Sequence, residues 1–132
     1  MKTIIRNATI VNEGRRFIGS VVIEDETIQQ VLEGDDSTQI YDTEIDATGL
    51  YLFPGVIDDH VHFREPGLTH KADIASESRT AAAGGVTSFM DMPNTNPPTT
   101  TIELLEEKFR IAEKNSRINY SFFFGASNEN TD

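Results

Sequence analysis

From Gly55 to Gly67 the chain reads GVIDDHVHFREPG, and three side chains in that run are equipped for chemistry. His60 and His62 stand two residues apart, so on an extended strand they project from one face. Two neutral imidazoles arranged this way can converge on one metal ion, and zinc takes imidazole nitrogen readily. Arg64 continues the register. Its planar guanidinium is a fork for a carboxylate; a salt bridge with Glu65, Asp58 or Asp59 is the alternative use for it. Strict alternation places Val56, Asp58, His60, His62 and Arg64 on one face. Ile57, Asp59, Val61 and Phe63 take the other, which is apolar enough to lie under helices. An HxH pair by itself is a common surface pattern. Its weight comes from its position, because the C-terminal strand ends of a β/α sheet carry the functional groups. EPG, Glu65–Gly67, has proline and glycine where a type II turn wants them. Asn94, in DMPNTNPP (Asp91–Pro98), follows another strand and reads as a turn or cap residue falling near Arg64. Asp91 is an interior-facing polar group or a helix-cap partner, and His70 is a solvated loop histidine.

The elements around these residues alternate. Thr3–Val11 is rich in β-branched residues and reads as a strand. Gly19–Leu32 reads as a hairpin about the acidic turn Glu24-Asp25-Glu26, and Gln39–Gly49 as a further short strand. Glu33–Thr38 is a polar loop between them. Beyond Pro54-Gly55 the pattern changes. Val56–Phe63 is a strand. Ala72–Gly85 is a helix with Asp73 as its cap and Gly84-Gly85 as its stop. Val86–Met92 is a second strand. Ile102–Asn115 is a second helix, with an apolar stripe at Ile102, Leu105, Phe109 and Ala112 and i, i+4 pairs Glu106–Arg110 and Glu113–Arg117. Ile118–Ala126 is a third strand. Alternating strands and helices imply a parallel sheet with right-handed crossovers. Residues 1–54 therefore form a small β module, and residues 55–132 form β-α-β-α-β.

Eleven basic against 22 acidic residues leave a net charge of −11, which repels phosphate backbones and anionic lipid. Neither nucleic acid nor a membrane is an expected partner. The chain has no cysteine, which suits a reducing cytoplasm. No signal peptide is read at MKTIIRNATI, where Arg6 and Asn7 interrupt the apolar run, and no apolar run approaches the length of a bilayer span.

Three segments together, IDATGLYLFPG (Ile45–Gly55), PGVIDDHVHFREPG (Pro54–Gly67) and AAAGGVTSFMDMPNTNPPTT (Ala81–Thr100), resemble the amidohydrolase superfamily and, within it, the longer type of dihydroorotase. The resemblance implies an α/β fold: the N-terminal part of a (β/α)8 TIM-like barrel plus a small flanking β-sandwich domain. It implies one or two zinc ions held first by His60 and His62, and a substrate carboxylate gripped by Arg64 and Asn94. Asp58 matches an acidic position with a ligand-orienting role behind the histidines. The implied reaction is the reversible conversion of N-carbamoyl-L-aspartate to L-dihydroorotate in pyrimidine synthesis, by a cytoplasmic enzyme, and the resemblance suggests a homodimer. Allantoinases and dihydropyrimidinases share the HxH and AGG segments but look less like this chain at Arg64 and Met92–Thr95.

A catalytic zinc takes three protein ligands and keeps one position open, and a full barrel needs about 250 residues. The remaining ligands and the catalytic proton carrier are therefore expected outside these residues. The chain is read as part of a longer enzyme, inactive and poorly folded in isolation. The competing reading is a non-catalytic regulatory or assembly subunit of the same descent, which has no need of metal ligands. Zinc binding separates the two.

Overall fold

Ile, Thr and Val crowd the chain after Met1, and that segment forms a long strand, β1 (Lys2–Asn12). The computed structural model describes residues 1–34 and 39–130; of the polar loop expected at Glu33–Thr38, residues 35–38 lie outside the described ones. Two units result, Met1–Pro54 and Gly55–Asp132. In the first, Glu13-Gly14 turns β1 into β2 (Arg15–Glu24). Both turn residues have positive φ, which matches the twist of paired strands. A second turn leads from β2 to β3 (Thr27–Glu33), the hairpin expected about Glu24-Asp25-Glu26. β4 (Thr43–Asp46) and β5 (Tyr51–Leu52) both run parallel to β1. The product is one mixed sheet in the order β3-β2-β1-β4, with β5 also paired to β1. β5 is two residues long, too short for any periodicity to announce it.

The second unit is β6 (Val56–Val61), α1 (Ile74–Ala83), β7 (Val86–Asp91), α2 (Ile102–Asn115) and β8 (Asn119–Phe122). The three strands lie parallel in the order β6-β7-β8. α1 begins where the Asp73 carboxylate accepts the Ser76 N–H at 2.7 Å and ends at Gly84. The Glu65 carboxylate accepts the Ile74 N–H at 2.9 Å, so two acidic side chains serve one helix start. Thr101 caps α2 through the Leu104 N–H. No helix of the described residues is long and apolar enough to cross a membrane.

Phe63, Ile74, Phe89, Ala112 and Phe122 form the core between helices and sheet. Phe89 is 1% exposed, with its ring centre 4.4 Å from that of Phe63. Phe89→Ala is expected to destabilise by about 3–5 kcal/mol, read as a lower urea midpoint at unchanged slope. A shift of under about 1 kcal/mol would contradict this core assignment.

Three expectations need correction. Strict alternation along β6 does not hold, because between Asp58 and Val61 it carries one residue more than β7 does between Phe89 and Asp91. A slip of one residue turns the side chains beyond it to the other face. Val61 and Phe63 reach the core as expected, but Ile57 is 68% exposed and Asp59 is exposed too. On α2, Arg110 donates its Nε to the Glu106 main-chain carbonyl at 3.3 Å rather than meeting the carboxylate. Arg117 lies beyond the end of the helix, so no i, i+4 partner for Glu113 exists there.

Candidate functional site

The ends of β6 and β7 bring the sequence candidates together. The rings of His60 and His62 lie 5.4 Å apart, centre to centre, inclined at 65°. Asp58 Oδ1 accepts the His60 main-chain N–H at 3.2 Å. The Asp58 carboxylate therefore holds the backbone of His60. His62 Nδ1 meets Asn94 Oδ1 at 2.9 Å, which joins the loop after β6 to the loop after β7. With Nδ1 donating, Nε2 carries the lone pair.

Main-chain bonds close the same seam. Met92 N–H donates to the Val61 carbonyl at 3.0 Å, and Asn96 N–H to the Pro66 carbonyl at 3.2 Å. Gly67 sits at φ +81°, and a Cβ there would fall on the Asn96 carbonyl oxygen. Gly67→Ala is thus opposed both by backbone conformation and by contact. An expected loss of about 2 kcal/mol or more is measurable as a urea midpoint; an unchanged midpoint would mean the two loops are not clasped. In the second loop, Thr95 donates its hydroxyl to the Pro97 carbonyl at 2.9 Å and lies 3.2 Å from the Thr99 hydroxyl. These buried hydroxyls brace the segment that presents Asn94, and nothing in the sequence singled them out.

Arg64 is half-buried and takes φ +70°, a conformation uncommon outside glycine. Glu65–Gly67 does not form the expected type II turn. The Glu65–Pro66 bond is cis, and the turn closes over five residues, Leu68 N–H donating to the Arg64 carbonyl at 3.0 Å. The expected salt-bridge alternative for Arg64 is not realised either. Glu65 is spent on the start of α1, Asp58 on His60, and no carboxylate among the described residues pairs with Arg64. His70 is exposed. Among the described residues no third histidine or carboxylate joins His60 and His62 as a metal cluster.

Beneath these side chains lies a buried ion pair that sequence reasoning missed. Lys108 Nζ meets Asp91 Oδ2 at 2.7 Å, and the two side chains are 0% and 1% exposed. The apolar stripe expected on α2 had Phe109 facing inward. Ile102 is instead 60% exposed, Phe109 is 40% exposed although its ring still meets that of Phe122 at 4.9 Å, and Lys108 turns in. Burial pushes the Lys108 ammonium below its usual pKa, and the hydrogen bond and charge of Asp91 oppose that. Of the two readings of Asp91, the interior-facing polar group is the one found.

Residues 49–130 match the family model described as dihydro-orotase-like. The chain belongs to this family. Over its whole length this dihydro-orotase-like chain is 42% identical to a dihydroorotase of Lactobacillus acidophilus, covering 30% of that protein. Over 67% of its length it is 46% identical to an allantoinase of Deinococcus radiodurans, covering 20% of it. Its structure matches an L-hydantoinase (dihydropyrimidinase) from Arthrobacter aurescens with a TM-score of 0.91 at 29% identity, over 97% of this chain and 28% of that one. The dihydro-orotase-like chain thus spans three tenths or less of the length of these relatives.

Proposed function

We propose that this chain forms part of a metal-dependent cyclic amidohydrolase of the dihydroorotase type, interconverting N-carbamoyl-L-aspartate and L-dihydroorotate in pyrimidine synthesis. In this reading β6-α1-β7-α2-β8 are the first three strands and two helices of a (β/α)8 barrel, and residues 1–54 belong to a flanking β-sandwich. The observation that supports it is the His62–Asn94 contact at 2.9 Å, which sets Asn94 of the loop after β7 against the strand-end histidine pair, two residues from Arg64 in the chain.

The donor set fits zinc: two imidazoles two residues apart at one strand end, one with its Nδ1 already engaged so that Nε2 is available. His60 and His62 would hold one or two ions, and the further ligands of a catalytic site would come from other strands. When bound, such a metal supplies Lewis-acid polarisation of an amide carbonyl and an activated water. The chain's own part is to bind and orient. Arg64 offers a fork of N–H donors to the carboxylate, and the Asn94 amide N–H, unused by His62, adds another. Holding the carboxylate at these two points fixes the ring for attack. A local cation also offsets an otherwise acidic protein facing an anionic substrate.

The match to an allantoinase favours a second reading, hydrolysis of a neutral cyclic ureide. Arg64 argues for the first, since a substrate without a carboxylate has no use for it. Turnover of L-dihydroorotate, allantoin and dihydrouracil by the full-length enzyme decides between them. Preference for L-dihydroorotate is expected, and preference for allantoin would overturn the assignment. A protein that retains no zinc and turns over none of the three would be the non-catalytic subunit.

A further inference from the structure

Asp91 ends β7, and its polar atoms reach three other elements. Oδ1 accepts the Phe63 N–H at 2.8 Å, just past β6. Oδ2 takes Lys108 Nζ of α2 at 2.7 Å. Its main-chain carbonyl accepts the Phe123 N–H, just past β8, at 3.0 Å. Lys108 in turn donates to the Met92 carbonyl at 3.0 Å and lies 4.7 Å from the ring centre of Phe122. Phe63 stands between His62 and Arg64 in the chain, and Met92 stands two residues before Asn94. The pair therefore holds the backbone on both sides of the candidate site.

Stability alone does not account for such a pair. Enclosing two charges costs several kcal/mol each in desolvation, and a well-matched apolar pair of similar volume is commonly at least as stable. An apolar pair, however, cannot accept the Phe63 N–H, a buried donor that needs an acceptor. We infer that Asp91 and Lys108 are positioning residues: Asp91 fixes the backbone between His62 and Arg64 through the Phe63 N–H, and Lys108 holds the Asp91 carboxylate and the Met92 carbonyl in place to do so. The consequence for zinc and substrate rests on the function proposed above, whereas the backbone constraint does not.

Two variants of the full-length enzyme separate positioning from plain stability. Asp91→Asn/Lys108→Met removes both charges but keeps a side-chain oxygen for the Phe63 N–H. Asp91→Leu/Lys108→Met removes that oxygen as well. Both are expected to stay folded, the leucine variant with the lower urea midpoint because its buried Phe63 N–H loses its acceptor. In the leucine variant, amide exchange at Phe63 is expected to quicken by about tenfold or more. Zinc affinity by chelator competition is expected to weaken by about tenfold or more, with a raised KM for L-dihydroorotate. The asparagine variant is expected to restore both towards wild type. Equal exchange rates at Phe63 and equal zinc affinities in the two variants would overturn the inference. If the leucine variant does not fold, Asp91→Ala/Lys108→Met takes its place in the same comparison. Wild-type protein that binds no zinc would overturn the proposed metal site, while the exchange comparison would still decide the positioning role.

Discussion

Replacing Arg64 by methionine is expected to lower kcat/KM for L-dihydroorotate by roughly a hundredfold, mostly through KM. Truncating one partner of a hydrogen-bonded charge pair costs about 2–5 kcal/mol. Arg64 is half-buried rather than enclosed, which sets the expectation near 3 kcal/mol, or about two powers of ten. Methionine inherits the same φ of +70°, so the fold should be unaffected and the loss attributable to the lost charge. Arg64→Lys should recover little, because an ammonium cannot bind a carboxylate as a fork. Arg64→Gly should separate the two aspects of this position. It relieves a backbone conformation that costs a non-glycine residue about 1 kcal/mol or more, so the urea midpoint should rise while activity still falls. Unchanged kcat/KM in Arg64→Met would remove Arg64 from the site.

The second large effect is expected at the histidines. His60→Ala/His62→Ala should abolish stoichiometric metal retention and reduce turnover by roughly a thousandfold or more, the scale of several kcal/mol of transition-state stabilisation from a Lewis acid. Metal content after gel filtration gives the direct readout. Both side chains are at least partly open to solvent and neither belongs to the core, so the fold should survive the change. Asn94→Asp is a finer probe of the same contact. A carboxylate there still accepts from His62 Nδ1 but has no N–H to offer a substrate carboxylate. It should therefore spare metal retention while raising KM. Full metal retention in the double alanine variant would move the metal elsewhere.

How much of this was readable from the residues depends on the kind of interaction. The β-α-β-α-β order, the Asp73 cap and the pairing of His60 with His62 follow from local rules: propensity, end signals and strand spacing. The failures are tertiary. Alternation misled at Ile57, because register slips with β7 leave it exposed while Val61 and Phe63 go inward. The helical stripe misled at Ile102, which is 60% exposed, and left out Lys108, which is buried. A lysine reads as solvated, and only the carboxylate of Asp91, 17 residues away, makes Lys108 admissible inside. Glu65 offered itself as the partner of Arg64 by adjacency, yet the unsatisfied N–H groups at the start of α1 claim it. The His62–Asn94 bond spans 32 residues, and no spacing rule reaches that far. Chemistry-bearing residue types were thus visible, but which of them meet was settled by where the strand ends fall.

The most direct test of the account is a crystal structure of the full-length enzyme with zinc and L-dihydroorotate bound. Metal is expected on His60 and His62, and the ligand carboxylate within hydrogen-bond distance of both the Arg64 guanidinium and the Asn94 amide N–H. Metal held by other residues, or a carboxylate bound away from Arg64 and Asn94, would contradict it.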